Sequence, residues 1–143
     1  MDPASIVAIV NASIGLALKC GKIAADLKVI ASTWKQAELS VLELINNCRM
    51  LETVLRRIDL ITKYPEIRLD DDIFQQLQSS LELGGIVISA LEQDLNSVMN
   101  IEPNTIFRQK TKIMWQESVI KMHQERVTRQ LTAITVLLKL MEL

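Results

Sequence analysis

Apolar positions along the chain fall into four periodic stretches, separated by short polar or proline-bearing breaks. The first is the most apolar. From Ala4 to Leu18 the residues are almost all Ala, Ile, Val, Leu, Ser and Gly, with Asn11 among them and no charge between Asp2 and Lys19. Asp2-Pro3 is a helix start, with Asp as N-cap and Pro at the first helical position, where its missing N–H costs nothing. Beyond Lys19 the pattern turns amphipathic: Ile23, Leu27 and Ile30 share one side, with Lys19, Lys22, Asp26 and Lys28 elsewhere. One helix is predicted from Pro3 to about Ala31, closed by Ser32-Thr33.

A second helix is predicted from about Trp34 to Thr62. Val41, Leu44, Cys48, Leu51, Leu55 and Ile58 step by three and four, and Tyr64-Pro65 ends it. The third begins in Asp70-Asp71-Asp72, acids that suit the positive end of a helix dipole. Its stripe is Ile73, Leu77, Leu81, Gly84, Ile88, Leu91, Leu95 and Val98. Gly84-Gly85 lies inside that helix at about 1 kcal/mol per glycine relative to alanine, so the pair is expected to serve a close helix crossing. Ile101 to Thr105, with Pro103, is the next break. The last helix is predicted from about Thr105 to the end, basic in its first half and apolar in its second, where Leu131, Ile134, Leu138 and Met141 form a stripe.

These elements predict an all-α fold: an antiparallel four-helix bundle with long helices and a mostly buried apolar N-terminal helix. Residues 1–143 make one domain on length. The chain stops without a cap, Gly or polar tail, and is expected to be a domain excised from a longer protein.

Composition agrees with helices. Nearly half the residues are apolar (49%) but only 3% aromatic, and four Gly and three Pro are too few for a turn-rich sheet protein. The net charge of −1 gives no global argument for nucleic acid. Cys20 and Cys48 stand far apart with no CxxC, and the lone His123 offers no zinc set, so the thiols are expected to be reduced, buried and cytosolic.

The opening stretch fails as a signal peptide, because Asp2 occupies the region that needs Lys or Arg, and the first cation follows the apolar run. It is also short for a span: fifteen helical residues reach about 22 Å, against roughly 30 Å of hydrocarbon. A buried helix is the first reading. Small residues recur every fourth position, Ala4, Ala8 and Ala12 on one line and Ser13, Ala17, Gly21 and Ala25 on another, which allows close helix approach in water or in lipid. A terminal helix of this kind can also leave a bundle without breaking two chain connections.

Catalytic signatures do not emerge: there is no phosphate-cradling loop after a strand, no Ser-His-Asp or His-Cys set, and no paired carboxylates outside helix caps. No enzyme activity, cofactor or metal is expected. His123, between Ile120 and Val127 at helical spacing, reads as a core or boundary histidine. The three aspartates read as a helix cap, lacking the EF-hand spacing. Arg108, Lys110, Lys112, Lys121, Arg126 and Arg129 make a basic stretch that suits lipid phosphates or a solvated face balanced by the third helix, since residues 63–102 hold eight acids and two bases. Nucleic acid is disfavoured, with only Phe107 and Trp115 placed to stack on bases.

Taken together, MDPASIVAIVNASIGLALKCGKIAADL, the cadence AELSVLELINNCRMLETVLRRI and the final KIMWQESVIKMHQERVTRQLTAITVLLKLM resemble the HeLo-like N-terminal domain. That domain is found on fungal NLR-like (STAND) and ankyrin-repeat proteins, and the resemblance covers essentially the whole chain. It implies a four-helix bundle similar in plan to mammalian necroptosis executioners and to plant helical resistance domains. The implied role is that of an effector module of a fungal immune or heterokaryon-incompatibility receptor. Such a domain is cytoplasmic at rest and moves to the plasma membrane, which it permeabilises to execute regulated cell death when oligomerisation releases the first helix. The membrane-active segment would be Pro3 to Leu18, with Ile6, Ile9, Val10, Ile14, Leu16 and Leu18 inserting. Lys19 and Lys22 would sit at headgroup level, joined by Arg108, Lys110 and Lys112. The implied partners are anionic lipid headgroups, further copies of the chain and downstream receptor domains. The alternative is a non-lytic helical oligomerisation or adaptor domain.

Overall fold

Four amphipathic stripes with few glycines and prolines leave helices as the economical way to satisfy the backbone, and helices are what form. The computed structural model describes residues 3–32, 39–62, 70–99 and 117–142. They make four helices: α1 (Pro3–Ser32), α2 (Leu39–Thr62), α3 (Asp71–Met99) and α4 (Glu117–Glu142), with no strand among the described residues. The expected starts of the second and last helices, Trp34 and Thr105, lie outside the described residues.

Each helix buries most of the stripe its sequence spaces, although Leu131 of α4 is only half-buried and the burial of Val98 lies outside the described residues. On α2, Val41, Leu44, Cys48, Leu51, Leu55, Ile58 and Ile61 are all buried. On α3 the buried line is Leu77, Leu81, Ile88, Leu91 and Leu95, while Ile73 and Phe74 pack half-buried against it. On α4, Ile120, Val127, Ile134, Leu138 and Met141 go inside, joined by two polar side chains, His123 and Gln130. These residues and those of α1 make one contiguous core. α1 packs on α2 and α3, and α4 packs on the same two helices.

Asp70 caps α3. Its Oδ1 accepts from the Ile73 backbone N–H at 2.8 Å and its carbonyl from Phe74 at 3.0 Å, two N-terminal donors satisfied by one residue.

Cross-helix contacts give the relative sense of α2 and α4. Gln124 donates to Glu43 at 2.5 Å, Asn47 to Thr128 at 3.0 Å and Arg57 to Glu142 at 3.4 Å. The numbers rise together, so these two helices run the same way. An apolar stripe says which face goes inside but not which helix lies beside it. Between α3 and α4 the contacts join Asp94 to His123 and place Gln130 near Gly84.

The burial of α1 corrects the expectation of a mostly buried N-terminal helix. Its C-terminal half is inside, through Cys20, Ile23, Ala24, Leu27, Ile30 and Ala31. Between Ala4 and Leu18 only Ile9, Ser13, Leu16 and Ala17 are buried. A helix apolar on every side cannot hide all of it against two neighbours, so most of this stretch is partly or fully exposed.

Candidate functional site

Residues 4–18 of α1 have no polar face to turn outward, so whichever side misses the core presents apolar surface to solvent. Of the six insertion candidates, Ile9 and Leu16 are buried, Ile6, Val10 and Ile14 are half-buried, and Leu18 is 59% exposed. Val7, at 56% exposed, joins Leu18 outside. Lys19 and Lys22 are exposed. Arg108, Lys110 and Lys112 lie outside the described residues. Over Ala4–Ser32 the helix is long and apolar enough to cross a membrane, with a mean hydropathy of 1.6, yet only 28% of its 18-residue apolar window is buried.

The two lines of small residues separate. Ala8 and Ala12 face outward, lining a groove against α3, whereas Ser13 and Ala17 are buried. Gly21 faces α2, where a β-carbon added to it would run into the Glu52 carboxylate. Ser13 is a polar residue that the core tolerates, because its Oγ donates to the Ile9 carbonyl at 2.8 Å and leaves its hydroxyl satisfied within the helix.

The groove between α1 and α3 holds about 660 Å³ and is lined by Ala12, Gly15, Leu16 and Lys19 on one side and residues such as Glu82, Gly85 and Ile86 on the other. A smaller cavity of about 290 Å³ continues it toward the start of both helices, past Ala8, Ile9 and Phe74. Gly84 lies inside the crossing, where an added β-carbon would come within 3.2 Å of Leu16 Cδ2. Of the two glycines expected to serve a close crossing, Gly84 does so, while Gly85 opens onto the groove.

Elsewhere two polar side chains, His123 and Gln130, sit within the apolar stripe of α4. His123 is buried with Nε2 2.6 Å from Asp94 Oδ2, a position in keeping with a core histidine. Gln130, two stripe steps further, is 6% exposed, and its Oε1 meets no hydrogen-bond partner. The sequence reading missed Gln130, although the spacing Ile120, His123, Val127, Gln130, Ile134 places it on the inward line. Cys20 and Cys48 are free and buried. Burial pushes both thiols up to about 12, with Cys48 and Glu52 adding to the effect at Cys20. No group of three or more His, Cys, Asp or Glu able to hold a metal occurs among the described residues.

Comparison with protein-family models, with curated proteins and with solved structures gives no match for this chain. The feature that stands out is the uncharged first half of α1, residues 4–18, whose apolar surface the fold only partly covers.

Proposed function

We propose that this chain is a non-enzymatic, membrane-directed effector of the HeLo-like kind, in which the four helices form a bundle at rest and the N-terminal part of α1 enters lipid when released. The observation that carries the reading is the exposure of α1. A core helix of this hydropathy hides most of its surface, whereas the apolar window here is 28% buried. Moving residues 4–18 into a bilayer therefore gives up the burial of Ile9, Leu16 and Ala17 while covering Val7, Leu18 and the exposed parts of Ile6, Val10 and Ile14.

Geometry also limits the mode of entry. Residues 4–18 extend about 22 Å, short of roughly 30 Å of hydrocarbon, so insertion with Lys19 and Lys22 at the headgroups reaches past one leaflet and thins or disturbs the other. Leakage then follows from several copies acting together, which clustering by receptor domains on the same chain would promote. In this reading the chain is cytoplasmic at rest and at the plasma membrane when active, executing regulated cell death.

Dye release from anionic vesicles tests it. The intact chain leaks them; a chain lacking residues 2–18 does not. Because that deletion also removes core, Val7→Glu and Leu18→Glu are the sharper probes. Both positions are more than half exposed, so the fold survives while a charge opposes insertion. A folded, oligomeric chain that neither binds nor leaks vesicles favours the adaptor reading, and full leakage by the double Glu variant removes α1 from the mechanism.

A further inference from the structure

Gly15 on α1 and Gly85 on α3 line the same groove, and a β-carbon added at either would meet nothing within 4 Å. A glycine inside a helix is a standing cost relative to alanine. Gly84 has an internal reason, the close approach of Leu16. Packing within the molecule gives no such reason for the other two. Their effect is to keep backbone bare along an outward groove of about 660 Å³. Bare backbone is what allows another helix to approach closely.

The same face carries what would fill such a groove. Ile86, 67% exposed, stands at its edge as a large apolar knob. Lys19 from α1 and Glu82 from α3 line it too, exposed and opposite in charge, one on each wall. A two-fold axis lying in this face and bisecting the line between them places each over the other's copy, so the pairing is made twice.

We infer that the α1–α3 face is the interface of a homodimer, occupied by a second copy of this chain. Shape and charge are both self-complementary: Ile86 of each copy meets the strip bared by Gly15 and Gly85, and Lys19 of each meets Glu82. The inference concerns the chain in lipid-free solution and stands independently of the membrane reading.

Sedimentation equilibrium on the lipid-free chain tests it, with helical circular dichroism to confirm folding. The wild type is expected to dimerise. Lys19→Glu and Glu82→Lys each weaken the dimer about tenfold, since each reversal acts twice across the axis, and the double variant recovers most of the loss. Ile86→Glu, at a site exposed in the monomer, keeps the helical signal and abolishes the dimer. A wild-type monomer at concentrations up to ~100 μM overturns the inference. So does a dimer indifferent to Ile86→Glu, or a pair of charge reversals that do not rescue each other.

Discussion

The buried imidazole of His123 meets the half-exposed carboxylate of Asp94 at 2.6 Å, joining the N-terminal third of α4 to the C-terminal half of α3. The carboxylate stays in contact with water while the ring gives up almost all of its hydration. The contact thus stabilises mainly by satisfying a buried polar atom, and loss of the acceptor costs the desolvation of that atom. Asp94→Ala is expected to lower stability by about 1–3 kcal/mol, and Asp94→Asn, which keeps an acceptor, by less. Denaturant unfolding of the three proteins under one condition checks the order. Equal stabilities would mean that the ring is satisfied without Asp94.

Adjacent glycines on α3 are expected to respond differently. Gly85 opens onto the groove, so Gly85→Ala gains helix propensity without a clash and raises monomer stability by about 0.5–1 kcal/mol. At Gly84 the new carbon would lie 3.2 Å from Leu16 Cδ2 and 3.7 Å from Gln130 Oε1. Leu16 must shift, so Gly84→Ala gains less than Gly85→Ala, and Gly84→Val loses about 1–3 kcal/mol by overpacking. Thermal unfolding at low protein concentration separates these effects from any change in self-association.

Those glycines also mark how far the sequence could be read. The stripes of α2, α3 and α4 were legible because each has a polar face, and a helix with two faces declares which one is inside. The capping aspartate was legible for a similarly local reason, since Asp70 acts on donors three and four residues away. α1 was not legible in this way. With no polar face between Ala4 and Leu18, its pattern could not say which side meets the core, and the expectation of a mostly buried helix followed from hydropathy alone. Gly84 and Gly85 are indistinguishable as letters, and only the position of Leu16 tells the crossing from the groove. Neighbour relations are likewise invisible to periodicity. Glu43, Asn47 and Arg57 reveal that α2 runs the same way as α4 only through partners some eighty residues distant in sequence.

Burial within α1 predicts an uneven response to truncation. Leu16 is buried between α1 and α3, and Ile9 is buried one and a half turns past the start of the helix. Leu16→Ala is expected to cost about 2–4 kcal/mol. Ile9→Ala is expected to fall in the same range, because Ile9 is buried to a similar degree and, like Leu16, borders the groove between α1 and α3. Leu18→Ala, at a largely exposed site, changes stability by no more than about 0.5 kcal/mol. Chemical denaturation reads all three, and a large loss at Leu18 would place that side chain inside the core.

Cys20 and Cys48 supply an alkaline probe of the α1–α2 contact. In the unfolded chain these thiols ionise near 9.0, whereas burial in the folded state holds them protonated until about 12. The folded values are the higher ones, so the stabilisation is complete below pH 9 and is lost as pH rises from there toward 12. Each thiol is expected to lower unfolding free energy by about 1.4 kcal/mol per pH unit within that window. Urea unfolding at intervals from about pH 8 to about pH 11 measures the slope, and Cys48→Ala should remove roughly half of it. The same shielding reports on α1. Free in solution, the chain should react slowly with a thiol-alkylating reagent; on anionic vesicles, departure of α1 from α2 should expose Cys20 and quicken its alkylation. Protection that persists while the vesicles leak would show that α1 keeps its place on α2 during permeabilisation, and the lipid-entering element would have to be sought in another helix.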